Sequence, residues 1–433
     1  MNKLSDWQNK YNGYTAQQLS DADQCIDDFL RICKGKHLVL WGANMHGKTL
    51  QKLFGDIGLS IDAFVDRDFD SIKDLNGVEV LSPESLSSLF PKEDTLLIAS
   101  VNMKNFYSVE KDLAQIAPDI LLGNGFLLHY PLQSAVCLKK VETGNLEISH
   151  CSCCTKVNQT CPVLRKNLIT HKPGARIRVG GAKNTLIGCI ISTMCTLKCK
   201  HCVEHVPYIT GDKRLFLPKE KIIEDIRVLA EAYEFATIMD FVGGEPFLHP
   251  DLPEIIENTR NIENIGIVNV FTNGTVMPGK ELLSQLAKPY TTVYLSNYSK
   301  NLSTEQREKI IATEKALTDV GVMVFQAKDF SWFDTTSFDE TNDDEDTLTN
   351  RYSQCILRDC YRLYDGKLFR CLHHYAGYIT NNIPADKSVI RIHDSPETLV
   401  ERLNKFAELP YAQACRYCEM PYNAKPVSSG IQL

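Results

Sequence analysis

No stretch of eighteen apolar residues occurs anywhere in the chain, so nothing is long enough to span a bilayer as a helix. The first twenty residues, from Met1 to Ser20, are polar and lack the apolar core of a signal peptide. Positive charge is not in excess either: 47 basic side chains face 54 acidic ones, a net charge of −7. That balance argues against nucleic acid or an anionic membrane as the main partner. Internal repeats and low-complexity tracts are missing as well. What remains is the composition of a globular, cytoplasmic protein, 43% hydrophobic and 23% charged. At about 100–200 residues per domain, the 433 residues allow two to four domains with full cores, and no disulfide is needed to hold them.

Cysteine, by contrast, is abundant. Sixteen thiols in a reducing compartment do not make a disulfide framework, so their spacing carries the information. Cys25, Cys33, Cys137 and Cys189 stand alone and read as small buried hydrophobes. The other twelve fall into three groups: Cys151, Cys153, Cys154 and Cys161; then Cys195, Cys199 and Cys202; then Cys355, Cys360, Cys371, Cys415 and Cys418. Grouped thiols under reducing conditions suggest metal.

Strand and helix alternate over residues 1–130. Apolar runs at 37–41, 61–65 and 96–99 read as buried strands, and Ser82-Pro83 reads as a helix start. This rhythm predicts a parallel α/β domain. Residues 131–183 read as an irregular, Cys-containing connector. Within it, the Cys151–Cys161 spacing matches no metal motif, which leaves metal binding and plain thiols both open. From residue 184 the rhythm resumes, with strands expected near 186–192, 237–242, 266–271, 292–295 and 322–326. Capping-box patterns stand at Asp251/Glu254 and Ser303/Gln306. Five or six such units over 184–335 predict a parallel, incomplete (β/α) barrel. The acidic run 339–346 reads as a solvated linker to a small module at 350–433.

Two constellations fall at strand ends, where such a barrel keeps its chemistry. Cys195-x3-Cys199-x2-Cys202 follows the first strand. Three thiolates leave one iron of a [4Fe–4S] cluster open to an outside ligand; zinc would want a fourth ligand, for which His201 is a nominal candidate. Gly243-Gly244-Glu245-Pro246 closes the second strand. Its glycines let backbone approach a ligand, and Glu245 can accept from an ammonium group. The bland alternative is a tight turn.

The pair of motifs resembles the radical SAM superfamily, over roughly residues 184–335. The resemblance implies a partial (β/α)6 barrel in which Cys195, Cys199 and Cys202 ligate a catalytic [4Fe–4S] cluster. S-adenosyl-L-methionine would chelate its open iron and yield a 5′-deoxyadenosyl radical. Gly243, Gly244 and Glu245 would bind the methionyl amine. Thr272, Asn273, Ser296 and Asn297 match positions that contact ribose and methionyl groups, with a plain turn-forming role as the alternative, and His201 would lie near the adenine. A flavodoxin- or ferredoxin-type electron donor is also implied.

Cys355, Cys371, Cys415 and Cys418 make a second set of four, with Cys360 surplus or competing with Cys355. Asp365-Gly366 between apolar pieces signals a hairpin. A zinc site built from four cysteines is the bland alternative. The arrangement resembles the twitch module, a shortened SPASM domain, and implies one auxiliary [4Fe–4S] cluster in a small β-hairpin/helix domain. Such a cluster suits accepting an electron, and so favours net oxidation.

In the first domain, the Gly42–Thr49 segment fits G-x4-G-K-T between a strand and a helix, a literal phosphate-loop pattern. It also resembles the Rossmann-like N-terminal domain of sugar-nucleotide N-acyltransferases. Gly42, Gly47, Lys48 and Asp66 are therefore candidate nucleotide or substrate contacts, with NTPase, dinucleotide-binding and purely structural readings beside them. The expectation is a radical SAM oxidoreductase acting on a carbohydrate-like or nucleotide-linked small molecule. Its alternatives are a maturase that modifies a ribosomal peptide and a non-enzymatic iron–sulfur sensor or scaffold. No general base stands out; Lys328, Asp329 and Tyr298 merely lie near strand ends.

Overall fold

The computed structural model describes residues 3–11, 18–101, 103–143, 162–183, 186–328, 331–355, 357–358, 360–384, 388–420 and 424–433. The group Cys151, Cys153, Cys154 and Cys161 lies outside them. The described residues fall into two compact units, the first ending at 167 and the second starting at 168. None of their helices is long and apolar enough to cross a membrane.

The first unit has strands β1 (His37–Trp41), β2 (Ala63–Val65), β3 (Asp74–Leu75), β4 (Val78–Leu81), β5 (Thr95–Ala99) and β6 (Leu121–Asn124). Their order across the sheet is β3-β4-β2-β1-β5-β6, parallel except for the β3–β4 pair. Strand order reverses between β1 and β5, which places a topological switch point outside their carboxyl ends. Both strands are almost wholly apolar and buried, as a parallel sheet covered on two faces requires. The unit does not stop at residue 130. The helix Gly125–Glu142 puts Leu132, Ala135, Val136, Leu138 and Val141 into its core, so the expected connector begins inside this unit. Pro131 sits inside that helix, where the burial of residues on either side of it offsets the lost N–H.

The second unit contains β7 (Leu186–Ser192), β8 (Ala236–Gly243), β9 (Ile265–Thr272), β10 (Thr291–Asn297), β11 (Val324–Lys328), β12 (Ser331–Phe333), β13 (Tyr361–Tyr364), β14 (Lys367–Phe369), β15 (Val389–Arg391) and β16 (Pro426–Ser428). Strands β7 to β11 lie side by side in chain order, all parallel. The helix Lys219–Ala232 packs Ile222, Ile226 and Leu229 against them. The sixth parallel strand does not follow β11. It is β13, paired in parallel with β7 through Tyr361↔Ile187 and Leu363↔Cys189. Barrel and C-terminal module thus share one eight-stranded sheet, β11-β10-β9-β8-β7-β13-β14-β15, instead of standing apart as separate domains.

Asp365 and Gly366 turn the β13–β14 hairpin with φ of 48° and 72°, the left-handed pair of a type I′ turn. The capping box at Ser303 forms with Gln306. The one expected at Asp251 does not: the Asp251 amide donates to His249 Nδ1 instead, and its side chain caps nothing. The acidic run is no free linker either. Asp344 caps the helix Glu345–Gln354 by accepting from the Thr347 amide at 2.8 Å, Asp343 pairs with Arg351, and Glu345 accepts from Tyr411 and Arg416.

Candidate active site

The carboxyl ends of β7 to β10 surround a cavity of about 480 Å³. Cys195, Cys199 and Cys202 line it together with Gly243, Gly244, Thr272, Asn273 and Ser296. Each glycine is there because a side chain would not fit. Gly243 holds φ +129°, and a Cβ on it would lie 2.2 Å from the Ser192 carbonyl; on Gly244 it would lie 2.0 Å from that of Met194. The backbone of the second strand end therefore rests on the thiol-bearing loop, tied by the Gly244 amide to Ser192 O (2.8 Å) and the Glu245 amide to Met194 O (2.7 Å).

Glu245 is fully buried and does not line the cavity. Its carboxylate accepts from the Phe247 amide (3.0 Å), the Thr272 hydroxyl (2.7 Å) and the Asn273 amide (2.8 Å). Burial pushes it up to about 7 against those donors. Glu245 thus braces the second strand end to the third, where the sequence suggested a ligand contact. Asn297 also turns inward, accepting from the Ser299 amide (3.0 Å) as a turn former. His201 lines the cavity with Nδ1 3.1 Å from Asp334. Asn273 reaches the loop, with Nδ2 3.6 Å from Cys195 Sγ and 3.2 Å from the Thr196 hydroxyl.

Burial pushes the thiols of Cys195 and Cys202 up to about 12 and that of Cys199 to about 11. Thiolates at these depths need a cationic partner, which iron supplies. Among the described residues, no three His, Cys, Asp or Glu side chains close into a group that could hold a metal ion. Three thiols from one loop, opening on a cavity with bare backbone opposite, fit a four-iron cluster with one site left for an outside ligand.

Below the strand ends the cavity has a polar floor that sequence reasoning missed. Asp240 on β8, Arg362 on β13 and Glu204 after the thiol loop all line it. Arg362 Nε donates to Glu204 Oε1 at 2.9 Å, and Gly188 leaves the space its guanidinium occupies. Asn269 donates to Asp240 Oδ1 at 3.0 Å and accepts from Thr292 at 3.0 Å. Burial raises Asp240 to about 6. Its Oδ2 and the buried Glu204 Oε2 have no partner among the described residues. Phe271 stacks on Tyr294 (4.6 Å) and Tyr298 meets Trp332 edge-on (5.0 Å) as walls. A signal was available: Asp240 is the one charged residue of β8 and Asn269 the one carboxamide of β9, each inside a mostly apolar strand. Of the other base candidates, Tyr298 lines the cavity, whereas Asp329 and the Lys328 side chain lie outside the described residues.

The C-terminal thiols act on one another: Cys355 disfavours ionisation of Cys371, Cys415 and Cys418, and Cys418 disfavours that of Cys371 and Cys415. Cys360 instead acts on Arg362. Arg351 donates to the carbonyls of Cys415 (2.9 Å) and Cys418, fixing the loop that carries both. Leu357, Arg362 and Leu372 of this module line the same cavity as the first three thiols. A separate recess of about 560 Å³, at the amino ends of β8 and β9, holds Arg176, Arg178 and Arg227 but no thiol.

The phosphate-loop pattern in the first unit is closed on itself. The amides of Gly42, Ala43, His46, Gly47 and Lys48 already donate to Val65 O, Asp66 Oδ2, Asn44 Oδ1 (twice) and Asn44 O. Asp66 is a loop tie, also accepting from the Asp68 amide at 3.0 Å. Lys48 is exposed. The Asn44 side chain stands where a phosphate would take the helix amides.

Comparison with known proteins bears on the second unit. The model of the radical SAM superfamily matches residues 189–297. GTP 3′,8-cyclase of Aquifex aeolicus is 26% identical over 147 residues, 33% of this chain and 43% of the relative. The enzyme of the same name from Psychromonas ingrahamii is 36% identical over 84 residues, 19% of this chain and 24% of the relative. The chain thus spans less than half the length of these curated relatives. Among solved structures, native anSMEcpe with bound AdoMet and Cp18Cys peptide aligns at 15% identity, over 54% of this chain and 86% of that one, with a TM-score of 0.37.

Proposed function

We propose that the chain is a radical SAM oxidoreductase for a hydroxyl-rich small molecule, using the [4Fe–4S] cluster and S-adenosylmethionine that the family matched at residues 189–297 implies. When bound, the cluster and S-adenosylmethionine supply a 5′-deoxyadenosyl radical that removes a hydrogen atom from substrate. In this reading Cys195, Cys199 and Cys202 hold the cluster, while Gly243 and Gly244 offer backbone to the methionyl group. Thr272, Asn273, Ser296 and His201 line the remainder of the cofactor side.

The observation that carries the reading is the single cavity lined both by the three-thiol loop and by the C-terminal module. Cys355, Cys371, Cys415 and Cys418 would hold an auxiliary [4Fe–4S] cluster there, beside the substrate, to accept the second electron. Cys355 is the fourth ligand in this reading and Cys360 the surplus thiol, because Cys355 acts on all three of the others whereas Cys360 acts on Arg362. The floor favours hydroxyl groups. Asp240 Oδ2 and Glu204 Oε2 accept, the Arg362 guanidinium donates, and the aromatic walls cover apolar ring faces. Arg362 is the one Lys or Arg among the described lining residues and already pairs with Glu204, so the floor offers no free cation for a triphosphate. A flavodoxin- or ferredoxin-type protein would deliver the first electron.

Iron and acid-labile sulfide analysis of anaerobically reconstituted protein tests the assignment. About eight of each is expected for two four-iron clusters, falling to about four in Cys371→Ala protein and unchanged in Cys360→Ala protein. About four in the parent would remove the auxiliary cluster, and with it the oxidoreductase reading. About twelve would bring Cys151 to Cys161 into play.

A further inference from the structure

The last ten residues of the chain fold back on the thiol-bearing loop. Strand β16 pairs antiparallel with β12, and Asn301 Nδ2 donates to Ser428 Oγ and the Ser429 carbonyl, both at 2.7 Å. Gly430 then turns with φ +73°, pressed so closely on Tyr298 that a Cβ would lie 2.4 Å from the Tyr298 Cβ. Beyond it the chain runs antiparallel to the loop. The Lys200 amide donates to Ile431 O (2.7 Å), the Leu433 amide donates to Lys198 O (2.9 Å), and Gln432 bridges to Cys199.

The Gln432 side chain completes the contact in both directions. Its Oε1 accepts from the Lys198 amide at 2.8 Å, while its Nε2 donates to Cys199 Sγ at 3.4 Å. The carbonyl of Gly430, 2.7 Å away, holds the same amide in place. Cys199 is 7% exposed beneath this segment.

We propose that Gln432 is a positioning residue for the cluster held by Cys195, Cys199 and Cys202, and that the segment Gly430–Leu433 is a strap that donates one N–H to its ligand sulfur and keeps solvent off it. The inference rests on reading those three cysteines as cluster ligands. Its physical content is electrostatic. Reduction adds negative charge to the cluster and its sulfurs, and an N–H dipole aimed at Cys199 Sγ stabilises that state more than the oxidised one. Without the donor, the cluster is harder to reduce.

The test uses the full chain, reconstituted anaerobically, with an EPR-monitored redox titration in the absence of substrate. The signal lost in Cys199→Ala protein identifies the cluster. Gln432→Met removes donor and acceptor at similar length, whereas Gln432→Glu keeps the acceptor for the Lys198 amide and removes the donor. Both midpoint potentials should move to more negative values, and iron loss on exposure to air should rise several-fold in Gln432→Met protein. Gln432→Glu should keep the parent iron content, which separates tuning from a merely structural strap. A parent midpoint in both variants would overturn the proposal. No Cys199-dependent signal in the parent would overturn the underlying cluster assignment instead.

Discussion

Both units carry a glycine-bearing turn at the end of a buried parallel strand, yet only one of them is open. After β1, the Gly42–Thr49 segment spends five backbone amides on Val65, Asp66 and Asn44, and Gly47 sits so close to the Gly42 carbonyl that a Cβ would lie 2.3 Å from it. After β8, Gly243 and Gly244 are packed just as tightly on one side, but the other side faces a cavity with three thiols. The difference lies in the nearby carboxylate. Asp66 caps the first turn from within, whereas Glu245 is withdrawn into the wall and binds the neighbouring strand end, leaving glycine backbone for a ligand. A sequence pattern specifies a turn; what its amides and carboxylates already hold decides whether the turn is a site.

Substituting the paired glycines should break the comparison most visibly. Gly244→Ala forces a methyl group onto the Met194 carbonyl, and 5′-deoxyadenosine formation should fall by about 100-fold as the loop shifts. Gly47→Ala should destabilise the protein by about 2–3 kcal/mol and leave that rate unchanged; an equal loss of rate would mean that the first turn also serves catalysis. Next, Glu245→Ala removes the acceptor of three buried donors and should cost about 3 kcal/mol in thermal or denaturant unfolding.

Asp240 sharpens the contrast through pH. Its carboxyl is raised from 3.8 to about 6, so its contribution to stability is complete below the unfolded value and is lost as pH rises through about 6. Asp240→Asn should therefore be more stable than the parent by about 2 kcal/mol at pH 8 and no more stable at pH 4, measured by thermal unfolding. The smallest effects belong to the closed turn. Asn44→Ala should cost about 1 kcal/mol as a lost helix cap, and Lys48→Ala less than about 0.5 kcal/mol, with no change in the unfolding temperature on adding Mg-ATP.

Much of the fold was legible because parallel strands buried on both faces are continuous apolar runs. The stretches at 37–41, 186–192 and 237–242 appear as strands within a residue or two of expectation. The thiol loop and the glycine pair were legible for the same reason, since they interrupt that pattern at strand ends. The shared sheet was not. Strand β13 is four residues long, and its partner β7 lies far away in the chain, a pairing no local pattern encodes. Likewise, the 339–346 run reads as solvated because its partners, Arg351, Tyr411 and Arg416, come from elsewhere. Asp240 could have been found, since a lone carboxylate in an apolar strand must either be exposed or have a partner.

The central claim is that the cavity beside Cys195, Cys199 and Cys202 cleaves S-adenosylmethionine reductively. Anaerobically reconstituted protein, given S-adenosylmethionine and dithionite, should form 5′-deoxyadenosine, while Cys199→Ala protein should form none above background. Equal product from the two proteins, or none from either when iron and sulfide are fully incorporated, would contradict the claim.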